Sequence, residues 1–447
     1  MNITIKKGHD IQIAGVPSSE ISKHSNLSSI ALLPTEFRGV KPKLLVKEGD
    51  RVQIGVPLFF DKTNPEVKWA SPGGGVINEI QFGPRRVLEK IGIDIDGQEE
   101  SKSATKYSES DLDLLRRENV METILSSHLM HLIRQRPFNK VADPKEKPRD
   151  IFISAINSAP LTVDLELVLK GSLKQFQAGI TALSKVTEGN VYLGVRPNSV
   201  LQKINNAASV TIKGPHPSGN VGIQTHHIAP INPGDVIWTV SAQDVVTLGK
   251  LFLTGRYDPS KVVTIGGPGI KNPMHVRTRT GVSMRSLLHE QLIEDPIRII
   301  SGDVLTGKEA HQTGYLGFYD STVSVLPDTI TREFINMLKP GNKKTRYSLS
   351  SAFMKIGNAL FNFNTSQNGS HRAMVPISAW EKVLPMDIYP NALFRAILSN
   401  DIEEMEQLGI WECDDEDFAL CSFACPSKID VGSVIRMGLD LMEIEGQ

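Results

Sequence analysis

Over the first hundred residues apolar and polar positions alternate in short segments, NITIKK, IQIAG, SIALLP, KLLVKEGDRVQIGVPLFF, VKWASPGGGVINEIQFG and KIGIDIDG. Gly-Asp, Asn-Pro and Pro-Gly pairs separate them, so a period of two broken by turn residues predicts an all-β unit of hairpins over 1–105. A polar stretch over 97–111 closes that unit. The period then lengthens. Leu112, Leu114, Leu115, Ile124, Leu125, Leu129 and Leu132 make a helical stripe that stops before Pro137, and the segment RQRPFNKVADP reads as the loop that follows. From 148 an apolar run, RDIFISAINSAP, gives way to a helical pattern over 161–186 and then to a second run, GNVYLGV. The cycle continues through ASVTIKG and DVIWTVSAQDVVTLGKLFL, which predicts a Rossmann-like α/β domain over 106–256. The strands of KVVTIGG, PIRIISG and STVSVLP around one short helix in GVSMRSLLHEQL predict a small α+β unit of β-grasp type over 257–328. The rest, 329–447, reads as mainly helical: Asp401 caps IEEMEQLG, Gly409 ends it, and DVGSVIRMGLDLMEIEG is an amphipathic tail helix.

Composition narrows what such a multidomain α+β chain does. At 447 residues it is too long for one core. Its net charge of -1, from 49 basic and 50 acidic side chains, gives no electrostatic drive toward nucleic acid or an anionic membrane surface. No stretch reaches the roughly twenty uncharged apolar residues of a membrane span. The most apolar, VIWTVSAQDVVTLGKLFLTG, is interrupted by Gln243, Asp244 and Lys250, so membrane attachment is expected through a partner. The start carries no signal-peptide core and the cysteines number 3, which together point to the cytoplasm.

Several clusters carry candidate chemistry. VKEGDRVQIGVPLF and ASPGGGVINEI resemble the halves of a biotinyl/lipoyl-type barrel-sandwich, whose modified lysine lies between them; Lys62 stands there, followed by the longer, stiffer TNPEVKWASP, and a solvated surface lysine is the other reading. The first strand of the α/β region runs into SAINSAP rather than a Gly-x-Gly-x-x-Gly turn, so dinucleotide binding is not expected. In GGPG, Pro268 removes a backbone donor and favours a turn over a phosphate nest. His216, His226 and His227 invite a metal, but on an extended segment the adjacent pair faces opposite ways and at most one joins His216; turn-closing histidines are the alternative. Arg134, Arg136, Phe138 and Lys140 fall within seven residues, a set able to stack on a planar acceptor such as a quinone head group and donate to its carbonyls, or equally to cap a helix and fill a domain interface.

Cys421-Ser-Phe-Ala-Cys425-Pro426 resembles the end of a bacterial ferredoxin run. The two preceding ligand positions hold Asp415 and Phe418, and Cys413 fits no cluster spacing, so a four-thiolate site is excluded. If 418–425 is helical, Cys421 and Cys425 share a face with Phe418, as a packing seam or a dithiol.

Taken in order, the barrel-sandwich start, RPFNKV, GKLFLTG, GGPGIKNP, GSHRAMVPI and DEDFALCSFACPSK together resemble the A-subunit family of the bacterial sodium-translocating NADH:quinone oxidoreductases (the NQR complex) along nearly the whole chain. That family is related to the flavin-carrying subunit of respiratory complex I and to the C-subunit of the Rnf complex. In those relatives the segment matching LIRQRPFNKV is glycine-rich and approaches the flavin phosphate, and a C-terminal domain carries an iron–sulfur cluster. Here the first has no glycine and the second keeps only Cys421 and Cys425, a degenerate iron–sulfur type. The resemblance implies a peripheral subunit on the cytoplasmic face of the bacterial inner membrane, in a six-subunit complex, binding no redox cofactor and docked on an integral membrane flavin-carrying subunit. NADH, flavins and iron–sulfur centres would belong to partners, and ubiquinone would be the substrate of the complex, with this chain at the ubiquinone-reduction end. Arg134, Arg136, Phe138, Lys140 and, from TEFRGVKP, Phe37 are the expected quinone contacts. A carrier protein with its arm on Lys62 and an independent flavin or NADH oxidoreductase are the other readings.

Overall fold

The computed structural model describes residues 1–24, 27–97, 99–293, 296–328, 347, 349 and 360–446. The alternating segments near the start build two facing sheets. One has four strands in the order Ser29–Leu32, Leu88–Ile95, Gly75–Phe82, Arg51–Val52; the other has three, Pro42–Leu44, Pro57–Asp61, Lys68–Ala70. Leu58, Phe59, Trp69, Ile77, Ile91 and Ile93 fill the space between them and lie almost wholly out of water. Gly75 sits at φ 157 with the Asp94 carbonyl where a Cβ would go, so only glycine lets those strands close there. Two early segments leave this domain. Asn2–Thr4 pairs in parallel with Ala208–Lys213, and Ile21–Lys23 with Met274–Arg279, so the first 23 residues stitch two further sheets together.

The α/β sheet has seven strands: Asn2–Thr4, Ala208–Lys213, Val191–Val195, Ile151–Ser154, Ile237–Val240, Ile133–Arg136 and Lys140–Val141. The first five run parallel and the last two are an antiparallel hairpin on the Ile237–Val240 edge. RQRPFNKV is therefore a hairpin and not the loop its polarity predicts; Ile133, Gln135 and Arg136 are buried, and their alternation is hidden because two of the three are polar. The helical stripe before it is broken into Glu109–Leu114, Arg117–Ser126 and a 3-10 turn, Met130–Leu132. The pattern over 161–186 likewise splits into Leu165–Leu169 and Leu173–Leu183 around Gly171. Leu173–Leu183 packs against Ala242–Thr254 so closely that Gly179 meets the Val245 carbonyl and Gly249 the Gln175 carbonyl.

The third sheet is mixed, in the order Lys308–Ala310, Ile297–Ser301, Thr322–Pro327, Ser260–Gly266, Met274–Arg279, Ile21–Lys23, with the short helix Met284–Leu287 beside it. The C-terminal helices Pro390–Ser399, Ile402–Gln407, Ala419–Ala424 and Val431–Glu445 share one apolar cluster with Phe152, Ile212, Ile223 and Ile237, so they cover the second face of the α/β sheet. Part of the expected 329–447 unit lies outside the described residues. Among the described residues no helix is long and apolar enough to cross a membrane.

Candidate functional site

Four strands of the α/β sheet, Ala208–Lys213, Val191–Val195, Ile151–Ser154 and Ile237–Val240, stand in the order 3-2-1-4 of their appearance in the chain. Their connections diverge between Ile151–Ser154 and Ile237–Val240, which leaves a crevice at the carboxyl ends of those two strands. A cavity of about 290 Å³ occupies it, bounded by Ser154, Thr239 and Arg134 from the sheet, Ala242 and Gln243 from a helix start, and Lys261, Tyr319, Asp320 and Glu416 from the neighbouring domains. Arg134 and Thr239 face one another across the antiparallel pair. The Arg134 guanidinium lies 4.9 Å from the centre of the Tyr319 ring. The Tyr319 hydroxyl donates to the His131 carbonyl (2.8 Å), and its ring stands 5.7 Å from Phe37.

Phe37, an expected quinone contact, is 3% exposed and sits among Phe59, Trp69, His131, Phe318 and Tyr319, at the seam of three domains. Beside it, the Glu36 carboxylate accepts from the Phe318 amide (2.8 Å). Burial outweighs that bond and pushes Glu36 up to about 7.

Two residues along the hairpin from Arg134, on the same face, Arg136 turns into the C-terminal domain and is 1% exposed. Its guanidinium meets Glu416 at 2.7 Å, Asp414 at 3.0 Å and Asp417 at 3.3 Å. Burial opposes its charge, and the carboxylates Asp414, Asp417 and Glu416 more than offset that, so the guanidinium is held above its ordinary value. Burial raises Asp414 and Asp417 in turn, against the pull of Arg136. The same acidic turn takes Arg436 on Asp415 (2.6 Å) and on Asp414, and Arg38 on Asp415 (3.0 Å). Phe138, at φ 77, stands edge-on to Trp411 at 5.7 Å, and its carbonyl accepts from Arg436 (2.9 Å). Lys140 lies 5.5 Å over the Phe138 ring and pairs with Glu443 at 2.5 Å. The structure thus splits the hairpin set: Arg134 faces the cavity, Arg136 is enclosed, and Phe138 with Lys140 forms a half-buried aromatic–cationic patch.

The counterparts of these residues are hard to see in the sequence. Asp414 and Asp417 belong to a four-residue acidic run, which by composition alone reads as a solvated turn, yet both are 1% exposed. Thr239 and Tyr319 carry no local signal at all; only the pairing of strands brings them to Arg134. The remaining candidates lie elsewhere. His226 and His227 are on the helix Val221–Ile228, not on an extended segment: a helix start hidden behind Pro-Ser-Gly-Asn carries them. His226 pairs with Glu412 (2.7 Å), while His216 meets Ser158 (3.0 Å). Among the described residues no group of three or more His, Cys, Asp or Glu is arranged to hold a metal. The segment after Asp414 is a 3-10 turn, Asp415–Phe418, running into the helix Ala419–Ala424; Cys421 and Cys425 are free thiols at 1% and 2% exposure beside the buried Phe418. Lys62 is exposed in the loop after Pro57–Asp61, a loop fixed by Thr63, whose amide and hydroxyl both donate to the Asp61 carboxylate.

Comparison with known proteins matches three domain families to this chain: the NqrA N-terminal barrel-sandwich hybrid domain at residues 3–96, the NqrA second alpha/beta domain at 115–257 and the NQRA C-terminal domain at 262–312. Curated relatives, each named as the A-subunit of a Na(+)-translocating NADH-quinone reductase, align end to end. Those of Pasteurella multocida and Histophilus somni are 40% and 39% identical, each over 99% of this chain and 100% of the relative. That of Hahella chejuensis is 38% identical over the same shares. Among solved structures, an NAD+-reducing [NiFe]-hydrogenase in the air-oxidized state matches at 12% identity over 51% of this chain and 52% of that one, with a TM-score of 0.34, a likeness too slight to bear on the fold.

Proposed function

The chain belongs to the A-subunit family of the Na(+)-translocating NADH-quinone reductases, and from that premise we propose that it is a peripheral subunit of such a complex, placed at the quinone-reducing end. In this reading it sits on the cytoplasmic face of the bacterial inner membrane against an integral membrane flavin-carrying subunit. It binds no redox cofactor; NADH, flavins and iron–sulfur centres belong to the other members of a six-subunit assembly.

One observation carries the proposal: two segments far apart in sequence, 36–38 and 134–140, are both tied to the Asp414–Asp417 turn. Asp415 and Phe418 stand where a four-cysteine run would place thiolates; Asp415 pairs with Arg38 and Arg436 instead, and Phe418 is buried in the apolar cluster. A redox domain emptied of its redox group and rebuilt as an ion-paired joint suits a scaffold. The strand order of the third sheet, 2-1-5-3-4 with the early strand Ile21–Lys23 added at its edge, supports reading that domain as a β-grasp.

For the quinone itself, Phe138 and Lys140 supply a half-exposed ring and cation that can stack on a planar head group and polarise its carbonyls. Arg136 fixes the hairpin beneath them, and Phe37 and Arg134 hold the adjoining seam. Two other readings lose ground. The Asp61–Thr63 bonds make the Lys62 loop a rigid element rather than a modification turn, and the family names disfavour both a carrier protein and an oxidoreductase that works alone.

The test is reconstitution of the complex with and without this chain. Loss of sodium-dependent NADH–quinone turnover on omission, restored by adding the purified chain, is the expected result. Full turnover without the chain contradicts it.

A further inference from the structure

Arg134 faces a cavity without an ion pair. Among the described residues its guanidinium makes no hydrogen bond or ion pair, only the stack on Tyr319 at 4.9 Å. The acids around the same cavity are each matched already. Glu416 takes Arg136 at 2.7 Å. Asp320 takes the Ser301 hydroxyl at 2.6 Å, and Asp303 takes the Leu305 and Thr306 amides at 2.7 and 3.2 Å. Asp244, near enough for its charge to act on Arg134, takes the Ser241 hydroxyl at 2.6 Å, and burial raises its carboxyl toward the neutral form. Lys261, the other cation in the wall, donates to the Phe318 carbonyl at 2.8 Å.

A second, independent feature lies across the strand pair. Thr239, the register partner of Arg134, is 2% exposed and lines the cavity, and among the described residues its hydroxyl has no hydrogen-bond partner. A buried hydroxyl left unpaired is costly and is kept where something outside the chain pairs with it. The thirteen-residue helix Ala242–Thr254 begins on the same wall. Its cap, Ser241, accepts from the Asp244 amide, which leaves the first-turn amides of Ala242 and Gln243 without an intrahelical acceptor and adds the positive end of the helix dipole.

We infer that this crevice binds a phosphate group carried by a small soluble molecule, held by the Arg134 guanidinium, the Thr239 hydroxyl and the amide end of the Ala242–Thr254 helix. The donors exceed what the two coplanar oxygens of a carboxylate accept, and they approach from the sheet and from a helix end, which suits the tetrahedral oxygens of a phosphate. Asp303 and Asp320, which also line the cavity, would receive hydroxyl or amino donors from the rest of the molecule. The wall of hydroxyls, acids and amides is unlike the apolar lining a quinone ring and tail require, so this site is separate from the Phe138–Lys140 patch. The sequence offers no glycine cradle after the first α/β strand; the anion site is built after the fourth strand instead, which no motif announces.

The experiment is calorimetric titration of the purified full chain with inorganic phosphate, with acetate as the second probe and a short-tailed ubiquinone as competitor. The expected result is saturable one-to-one phosphate binding, weaker for acetate and unaffected by ubiquinone. Arg134→Gln should weaken phosphate by about tenfold or more, the size of one lost charge-assisted contact. Thr239→Val, which keeps the shape and removes only the unpaired hydroxyl, should fold normally and weaken phosphate severalfold. The inference is overturned by absence of saturable phosphate binding, by acetate binding as tightly as phosphate, by ubiquinone displacing it, or by Thr239→Val and Arg134→Gln both binding as the parent does.

Discussion

Arg136 and Asp414, 278 positions apart along the chain, meet at 3.0 Å with both side chains at 2% exposure or less. A guanidinium taken out of water survives only because Asp417 and Glu416 complete its neutralisation and because its planar fork reaches three carboxylates at once. Arg136 is therefore the buried centre of the joint between the α/β hairpin and the C-terminal domain, with Lys140–Glu443 and Arg436 on the Phe138 carbonyl beside it.

Arg136→Ala should destabilise the chain by about 3–5 kcal/mol, because it strands the buried Asp417 without a counter-charge and leaves Asp414 with Arg436 alone. Arg136→Lys should recover little, since one ammonium cannot match three carboxylates bidentately. Urea unfolding of the purified variants, followed by circular dichroism, measures both; a loss under about 1 kcal/mol for the alanine variant would place the joint elsewhere.

Glu36 gives a pH signature. Its folded value of about 7 lies above the ordinary 4.5, so the folded chain holds a proton that the unfolded chain has released. The stability this contributes is whole below pH 4.5 and disappears as pH rises through 7. Urea midpoints measured across that window should fall with rising pH in the parent, and Glu36→Gln, which keeps the acceptor for the Phe318 amide, should flatten that part of the slope. An unchanged slope would show that Glu36 does not titrate there.

The hairpin and the acidic turn show why some of this was legible and some was not. Turn residues and period-two segments foretold the barrel-sandwich, and the helix Ile402–Gln407 begins at Asp401 as its spacing implied. Ile133–Arg136 was not legible, because a strand whose buried positions are Gln and Arg has no apolar alternation to read. Nor was the destination of Asn2–Thr4 and Ile21–Lys23, since pairing with a strand so far along the chain leaves no mark on either segment. Arg134, Arg136, Phe138 and Lys140 were visible as a cluster. Their division among a cavity, a buried joint and a surface patch depends on what meets each of them, Tyr319 from the third-sheet domain at Arg134 and the C-terminal domain at the other three.

The cysteines should be silent in the native chain. Cys413, Cys421 and Cys425 are buried, and burial pushes the Cys413 and Cys421 thiols above their ordinary value, so few thiolates form and fewer are reached. Iodoacetamide with mass detection should label none of the three before denaturant is added and all three after. Native labelling of Cys421 and Cys425 together would restore a dithiol role.

The intact mass of the chain should equal that of its sequence, 49.2 kDa, with no increment on Lys62. A fixed biotinyl or lipoyl addition mapped to Lys62 would revive the carrier reading.

The most direct test of a quinone contact on this chain is a calorimetric titration of the purified protein with a short-tailed ubiquinone, repeated with Phe138→Ala and Lys140→Ala. The expected result is saturable one-to-one binding that weakens by about tenfold in either variant. Binding that saturates equally in parent and variants, or none in the chain and none contributed by these residues in the assembled complex, would contradict a quinone contact at this patch.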